Sequence, residues 1–270
     1  MKDILNKFNI FKNTIKLSQA LSDFQKDTET ITLTDADFLY IGYTSRFSAF
    51  YFYADALNSN DVTLKIEFFN GSSWVDVSFF DDTLNFSRNG FVFWDFLLNW
   101  QTYVHEDVEN YFIRISTSSS TSEMIVKAIN ILFSTDQELY KVYYPLATDT
   151  SFLLGADDFT LIHEDVRNSI VQKFRNKGLR KLNDDRDRWL RVTPLDILDI
   201  QEVRQAATYF ALSRIFYNVS DSFEDIWYKK YLDTQKKAEV FLDLAFISFD
   251  VFGEGDARQQ PIFNVGKMWQ

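Results

Sequence analysis

Two stretches of 3.6-residue apolar period lie back to back within residues 199–250, separated only by Asn218, Val219 and Ser220. A chain carrying such a pair is predicted to form a long helical hairpin there. Asp199 with Glu202 has the spacing of a capping box, and Leu198 with Val203 that of a hydrophobic staple. Ala206, Ala207, Phe210, Ala211 and Ile215 follow at helical spacing, small residues that admit a neighbouring helix and a ring to fill the gap between axes. Ser222, with Asp225 three residues on, is placed to cap the second helix. From there it can run over residues 223–249, roughly 40 Å at the helical rise. Tyr231, Thr234, Ala238, Phe241, Ala245 and Ser248 then form one stripe. The expected packing surface, between helices or between subunits, is Ala206, Ala207, Phe210, Tyr231, Ala238, Phe241 and Ala245.

Upstream the period changes. Residues 28–134 break into short β-branched and aromatic runs: 29–33, 38–43, 49–53, 62–69, 74–78, 90–94, 111–116 and 124–133. In Val62-Thr63-Leu64-Lys65-Ile66-Glu67-Phe68 every second residue is apolar, as in a half-buried strand. Asn70-Gly71-Ser72-Ser73 is a hairpin turn and predicts that its two flanking strands pair antiparallel. Eight short strands with no helix between them indicate a β-sandwich or jelly roll. Residues 1–27 read as an amphipathic arm with Ile4, Leu5, Phe8, Phe11, Ile15, Leu17 and Leu21 as its apolar residues, either a helix packed on its own domain or an arm that docks on a neighbouring subunit. Residues 135–157 read as a connection, and 158–252 as a helical bundle. Its first helix has a face of Phe159, Ile162, Val166, Ile170, Val171 and Phe174 and ends at Gly178. The mixed-charge run 183–188 reads as solvated loop. The expected fold class is therefore α+β in two domains, an antiparallel sandwich followed by a helical bundle.

Composition narrows the function. A net charge of −11 argues against binding nucleic acid by neutralising phosphates, and suits a surface that DNA passes without sticking. The chain has no cysteine, which removes disulfides, thiolate metal sites and cysteine nucleophiles. The first residues interrupt their apolar positions with Lys, Asp and Asn, and no later stretch is long and apolar enough for a membrane span. The expectation is a protein made in the cytosol, or built into a particle there, with no membrane partner.

Candidate chemistry is thin. His105 and His163 each open the tetrapeptide His-Glu-Asp-Val, but one copy falls in a predicted β-region loop and the other in a predicted helix. Neither has a second histidine one turn on, so no metal site is expected. Asp250, Glu254 and Asp256 lack the alternating ligands and terminal glutamate of a calcium loop. No phosphate loop, nucleophile elbow or serine–histidine pairing is visible in the sequence, and neither an enzyme nor a cofactor is expected. Trp74, Trp94 and Trp100, with Tyr103, offer one alternative, an aromatic platform on which a sugar could stack. Residues 253–270 form a tail without period whose Ile262, Phe263, Met268 and Trp269 are apolar enough to anchor a partner.

Residues 158–260 resemble the head–tail connector (adaptor) proteins of tailed bacteriophages. The resemblance rests on Asp165-Val166-Arg167, Lys173-Phe174-Arg175, Glu202 through Leu212, and Ile226-Trp227-Tyr228-Lys229-Lys230-Tyr231 through Ala238 and Ala245. It implies a helical bundle assembled as a ring, a dodecamer in such proteins, between the portal protein and further neck or tail proteins. DNA would only pass through the lumen, and the C-terminal segment would reach onto the portal. Such adaptors are shorter, so the β-region is an addition; its Tyr40-Ile41-Gly42-Tyr43 and Asn70-Gly71-Ser72-Ser73-Trp74 are similar to β-domains appended to phage structural proteins. The expected function is a structural virion protein of the neck. The alternative is a carbohydrate-binding β-sandwich fused to a helical anchor.

Overall fold

A computed structural model of the chain describes residues 8–17, 21, 28–44, 46–95, 97, 99–182, 189–197, 200–250 and 257–261. They fall into two compact units, one up to Ile131 and the other from Leu132 on. The class is α+β with antiparallel sheets, as the change of period along the chain predicts.

The first unit holds twelve strands among the described residues: β1 (Asn9–Lys12), β2 (Ile15–Lys16), β3 (Glu29–Ile31), β4 (Leu39–Tyr43), β5 (Ala49–Ala56), β6 (Leu64–Phe69), β7 (Trp74–Asp76), β8 (Phe79–Asp81), β9 (Gly90–Trp94), β10 (Tyr103–His105), β11 (Val108–Thr117) and β12 (Met124–Asn130). Their pairing is nested. β6 pairs β7 across the Asn70-Gly71 turn, β5 pairs β9, β4 pairs β11 and β3 pairs β12, all antiparallel. Folding that nested hairpin over itself gives two sheets, β2-β1-β4-β11-β6-β7 and β3-β12-β5-β9-β8. This is the strand order of a jelly roll, extended by β1–β2 at one edge and β8 at another. The innermost turn forms as its sequence predicts, with the Asn70 carboxamide oxygen accepting from the Ser72 and Ser73 N–H groups at 3.0 and 2.9 Å.

Alternation sets which face is buried. Leu64, Ile66 and Phe68 are buried with Ile113 and Ile115 opposite them, while Lys65 points to solvent. Trp100, 1% exposed, touches rings from both sheets: Phe68 and Tyr111 on one, Trp94 on the other. Its indole N–H donates to the Phe112 carbonyl at 3.1 Å, and the Arg46 guanidinium donates to the Trp100 carbonyl at 2.7 Å. Both polar ends of this segment are satisfied inside the core, which lets an indole seal the sandwich without a desolvation penalty.

The described part of the N-terminal arm is not helical. β1 and β2 make a hairpin that adds to the first sheet, with Phe11 opposite Tyr40 and Ile10 opposite Ile41. The helical spacing misleads because both faces of β1 are covered, so no alternation survives. The outer face is roofed by the β10–β11 hairpin, where His105 lies 4.0 Å from the Tyr40 ring in a stack and 5.0 Å from Phe11. The His105 Nε2 lies 2.6 Å from the Asn13 carbonyl oxygen, an accepting group. His105 is thus a strand residue, not a loop residue. Phe112 lies across Gly42, where any Cβ would overlap its ring. β8 and β10 also escape the sequence reading, being only three residues each.

The edge is clamped by Asp37. Its carboxylate accepts from the Thr34 N–H at 2.9 Å and the Asn13 amide at 2.6 Å, with Lys12 at 3.4 Å. The Thr34 backbone N–H contributes most; burial opposes it, and the Asn13 and Thr34 side chains and Lys12 outweigh that opposition. Together they lower the carboxyl from 3.8 to about 2. A carboxyl depressed in the folded state stabilises above its unfolded pKa, and that contribution is lost as pH falls toward the folded value. Between pH 4 and 2 the wild type should therefore lose stability that Asp37→Asn lacks from the start, so their urea midpoints converge. Parallel curves across that window would contradict the clamp.

The β10–β11 turn gives a second expectation. Glu106 and Asp107, at φ 46° and 61°, occupy the two left-handed positions of a two-residue hairpin. Side chains bear that conformation at a cost of roughly 1–2 kcal/mol per residue, and Asn-Gly suits it best. Glu106→Asn with Asp107→Gly should raise stability by about 1 kcal/mol in urea denaturation. A loss of stability would show that the acidic pair makes contacts worth more than the strain.

Candidate interaction surface

The second unit contains α1 (Asp136–Val142), α2 (Thr160–Asn176), α3 (Gln201–Asn218) and α4 (Ile226–Leu244), with two small hairpins, β13 (Arg180–Leu182) with β14 (Trp189–Arg191) and β15 (Phe246–Asp250) with β16 (Ala257–Pro261). The span 135–157 is more than a connection. Thr135 and Glu138 form a complete capping box that starts α1, followed by two 3-10 turns. α2 ends as its sequence predicts: Gly178 takes φ 88°, the Gly178 N–H donates to Arg175 and the Leu179 N–H to Phe174, the two bonds of a Schellman motif.

α3 and α4 pack on each other, but their limits differ from expectation. α3 starts after Ile200 with no side-chain cap; Leu198 and Asp199 lie outside the described residues. α4 is capped by Asp225, not Ser222, its carboxylate accepting from the Trp227 N–H at 3.0 Å. It stops at Leu244 because Ala245 turns extended and residues 246–250 pair with 257–261 as strands. The helix is thus 19 residues, about 28 Å, and part of the tail is strand.

The expected packing residues separate into two groups. Ala206, Ala207, Ala238 and Ala245 are buried within the unit, where small side chains let helices approach closely. Phe210, Tyr231 and Phe241 are only half-buried and sit at the rims: Lys173 lies over the Phe210 ring, Phe241 stacks on Tyr209, and Tyr231 meets Tyr217. Phe210 does not fill the gap between axes. The alanines are consumed by packing inside one chain and are not a surface for another subunit.

Buried polar links position the helices. His163 on α2 is 2% exposed; its Nε2 lies 2.9 Å from the Asp136 carboxylate and its Nδ1 2.7 Å from the Ser134 hydroxyl. Since the carboxylate only accepts, Nε2 carries a proton toward Asp136, and Nδ1 shares the remaining bond with Ser134. Burial, then the nearby Asp136 charge, raises Tyr140 to about 12, so its hydroxyl remains a donor to the same carboxylate. This serine–histidine–aspartate chain was invisible in the sequence, because its members are distant in the chain. It resembles a hydrolase relay in composition only: the ring nitrogens are exchanged and Ser134 is fully buried, out of reach of a substrate. It ties α1 to α2. In the same way Arg204 on α3 donates to Glu138 on α1 at 2.6 Å. Among the described residues no cluster of three or more metal-ligating side chains occurs. Asp250 sits at the end of β15; Glu254 and Asp256 lie outside the described residues, as does the run 183–188.

The tryptophan platform does not form. Trp94 and Trp100 are core residues, because the sandwich needs large rings between its sheets. Trp74 is half-buried, with the Arg114 guanidinium 4.6 Å over its ring and Phe69, Tyr40 and Tyr103 around it. Arg114 covers its ring, and the neighbouring aromatics meet it edge-on or tilted.

One group of exposed apolar side chains lies where α3 hands over to α4; others, such as Leu161 and Leu244 in the same unit and Ile15 and Phe80 in the first, stand elsewhere. Lys230 projects its ammonium among Tyr143, Trp227 and Phe216, at 4.3, 4.5 and 5.5 Å from the ring centroids, and donates to the Tyr143 hydroxyl at 2.8 Å. On the other side Phe223, Tyr228, Tyr231 and Tyr217 form a chain of ring contacts 5.0–5.4 Å apart. Phe223 is 79% exposed, Tyr144 70% and Ile226 61%, with Tyr217 also exposed. Sequence reading missed this surface: it placed Tyr231 in the expected seam and gave Phe223, Tyr144 and Tyr217 no role. The tail residues Ile262, Phe263, Met268 and Trp269 lie outside the described residues. No protein-family model matches the chain, and no curated protein or solved structure is recognisably similar to it.

Ala207→Phe or Ala238→Phe should overpack the helices and cost about 1–3 kcal/mol, whereas Val240→Ala on the exposed side of α4 should cost under about 0.5. Equal melting temperatures for all three would place the alanines on the outside. His163→Ala removes the buried partner of the Ser134 hydroxyl and one donor to Asp136, and should cost about 1–3 kcal/mol.

Proposed function

We propose that this protein is a structural component of a tailed-phage virion, a neck adaptor whose copies form a ring between portal and tail. The observation that carries this reading is the aromatic end of the helical unit. Phe223, Ile226 and Tyr217 expose large apolar side chains around the α3–α4 turn, and Tyr228 and Tyr231 join Phe223 to Tyr217 through successive ring contacts. Aromatic side chains in such numbers are the composition of a buried interface centre, and exposing them costs free energy that assembly returns.

On this reading residues 158–252 are the adaptor bundle, with the α3–α4 pair as its long hairpin, and the jelly roll is a second domain carried on it. The resemblance to head–tail connectors points the same way, and to the portal as the partner of residues 262–270. The net charge of −11 suits a lumen that DNA crosses without binding. Assembly would occur in the host cytoplasm before the neck is built into the particle. No helix among the described residues is long and apolar enough to cross a membrane.

Negative-stain electron microscopy of the purified full chain tests this directly. Rings with a central passage are expected at micromolar concentration. A protein that stays monomeric, or closes as a two-fold dimer, would overturn the reading.

A further inference from the structure

The exposed aromatic end needs an occupant, and the chain carries a complementary surface. An open groove of about 340 Å³ lies between α1 and α3, walled by Val142, Lys141, Arg204, Thr208 and Tyr209, with Glu138 at its edge. Val142 is 45% exposed although apolar. The volume is at the small end of ligand pockets and suits one bulky side chain rather than a cofactor. Its charge is cationic on balance through Lys141, because Arg204 and Glu138 pair with each other at 2.6 Å.

The loop joining α3 to α4 has the opposite character. Asp221, Glu224 and Asp225 flank Phe223, so an exposed ring is presented between three carboxylates. Loop and groove also lie far apart along the same helix. From Gln205, beside the groove, to Asn218, where the loop begins, α3 rises about 20 Å. The loop of one chain therefore does not fill its own groove.

We propose that the Phe223 loop of one copy seats in the α1–α3 groove of the next copy, the ring against Val142 and Tyr209 and the loop carboxylates toward Lys141. Because the two surfaces differ, the contact is head-to-tail. Such contacts propagate and close into rings, whereas a patch that pairs with itself gives a two-fold dimer. The inference rests on the ring-forming reading above and names the contact that would build it. The charge pairing makes association salt-dependent, and the buried ring supplies its apolar centre.

The absence of cysteine gives a clean test, since introduced thiols are the only ones present. Ser222→Cys, beside the ring, and Gln205→Cys, at the groove, replace exposed residues and leave Phe223 and Val142 in place, and circular dichroism checks that each variant folds. Treated with a short bismaleimide, each variant alone should remain uncross-linked, their mixture should give dimers only, and the doubly substituted chain should give a ladder of multimers. Phe223→Ala and Lys141→Glu, without thiols, should each weaken association at least tenfold by sedimentation. Ser222→Cys dimers formed without the second variant would overturn the head-to-tail contact in favour of a two-fold one. Rings by electron microscopy with no 222–205 cross-link would overturn this contact alone. A chain that sediments as a monomer throughout would overturn both it and the ring reading.

Discussion

Nested strand pairing is the constraint on which the first unit depends, and Trp100 is where it is locked. β6–β7 closes locally, and each outer pair, β5–β9, β4–β11 and β3–β12, can form only when the one inside it has brought its strands together. Doubling the nest over creates two inner faces. One indole, touching Phe68 and Tyr111 on one sheet and Trp94 on the other, fills the space between them. Its N–H and the neighbouring carbonyl are both paired, so the seal carries no unsatisfied polar group of its own. The hairpins β1–β2 and β10–β11 then cover what the nest leaves open, an outer face with Phe11, Tyr40 and Phe112.

The second unit solves a different problem with few residues. Its helices approach through alanines, and their positions are fixed by charged or polar pairs at the helix starts: Arg204 with Glu138, and His163 between Ser134 and Asp136. Those pairs cluster at the α1 end of the bundle. The α3–α4 turn has no equivalent; there an ammonium is held by aromatic rings, and other rings are left in water. The polar ties of α1 lie at the helix starts and the exposed rings at the turn, while single exposed aliphatics such as Leu161 and Leu244 lie elsewhere on the unit.

Much of the architecture was legible because local signals agreed with the fold. The alternation from Val62 to Phe68, the Asn70-Gly71 turn and Gly178 each predict what forms. Misreadings occur where a residue's partners are remote. β1 looked helical because β10, some ninety residues away, buries its outer face. α4 looked longer because residues 246–250 are apolar enough for a helix but find a strand partner at 257–261. Trp94 and Trp100 looked like a sugar platform because a sequence does not say which side of a sheet an indole faces. The candidate surface was the least legible part: Tyr231 and Phe241 share the helical period with buried Ala238, and only the packed structure separates core from rim.

The functional account reduces to one physical claim, that the aromatic turn between α3 and α4 is covered when copies assemble. Hydrogen exchange read by mass spectrometry, on the full chain at high and at low concentration, tests it most directly. Slowed exchange at high concentration is predicted for amides of residues 219–226 and for α1 beside the groove, with the jelly roll unchanged. Exchange at 219–226 that stays fast while the protein is demonstrably assembled would contradict the account.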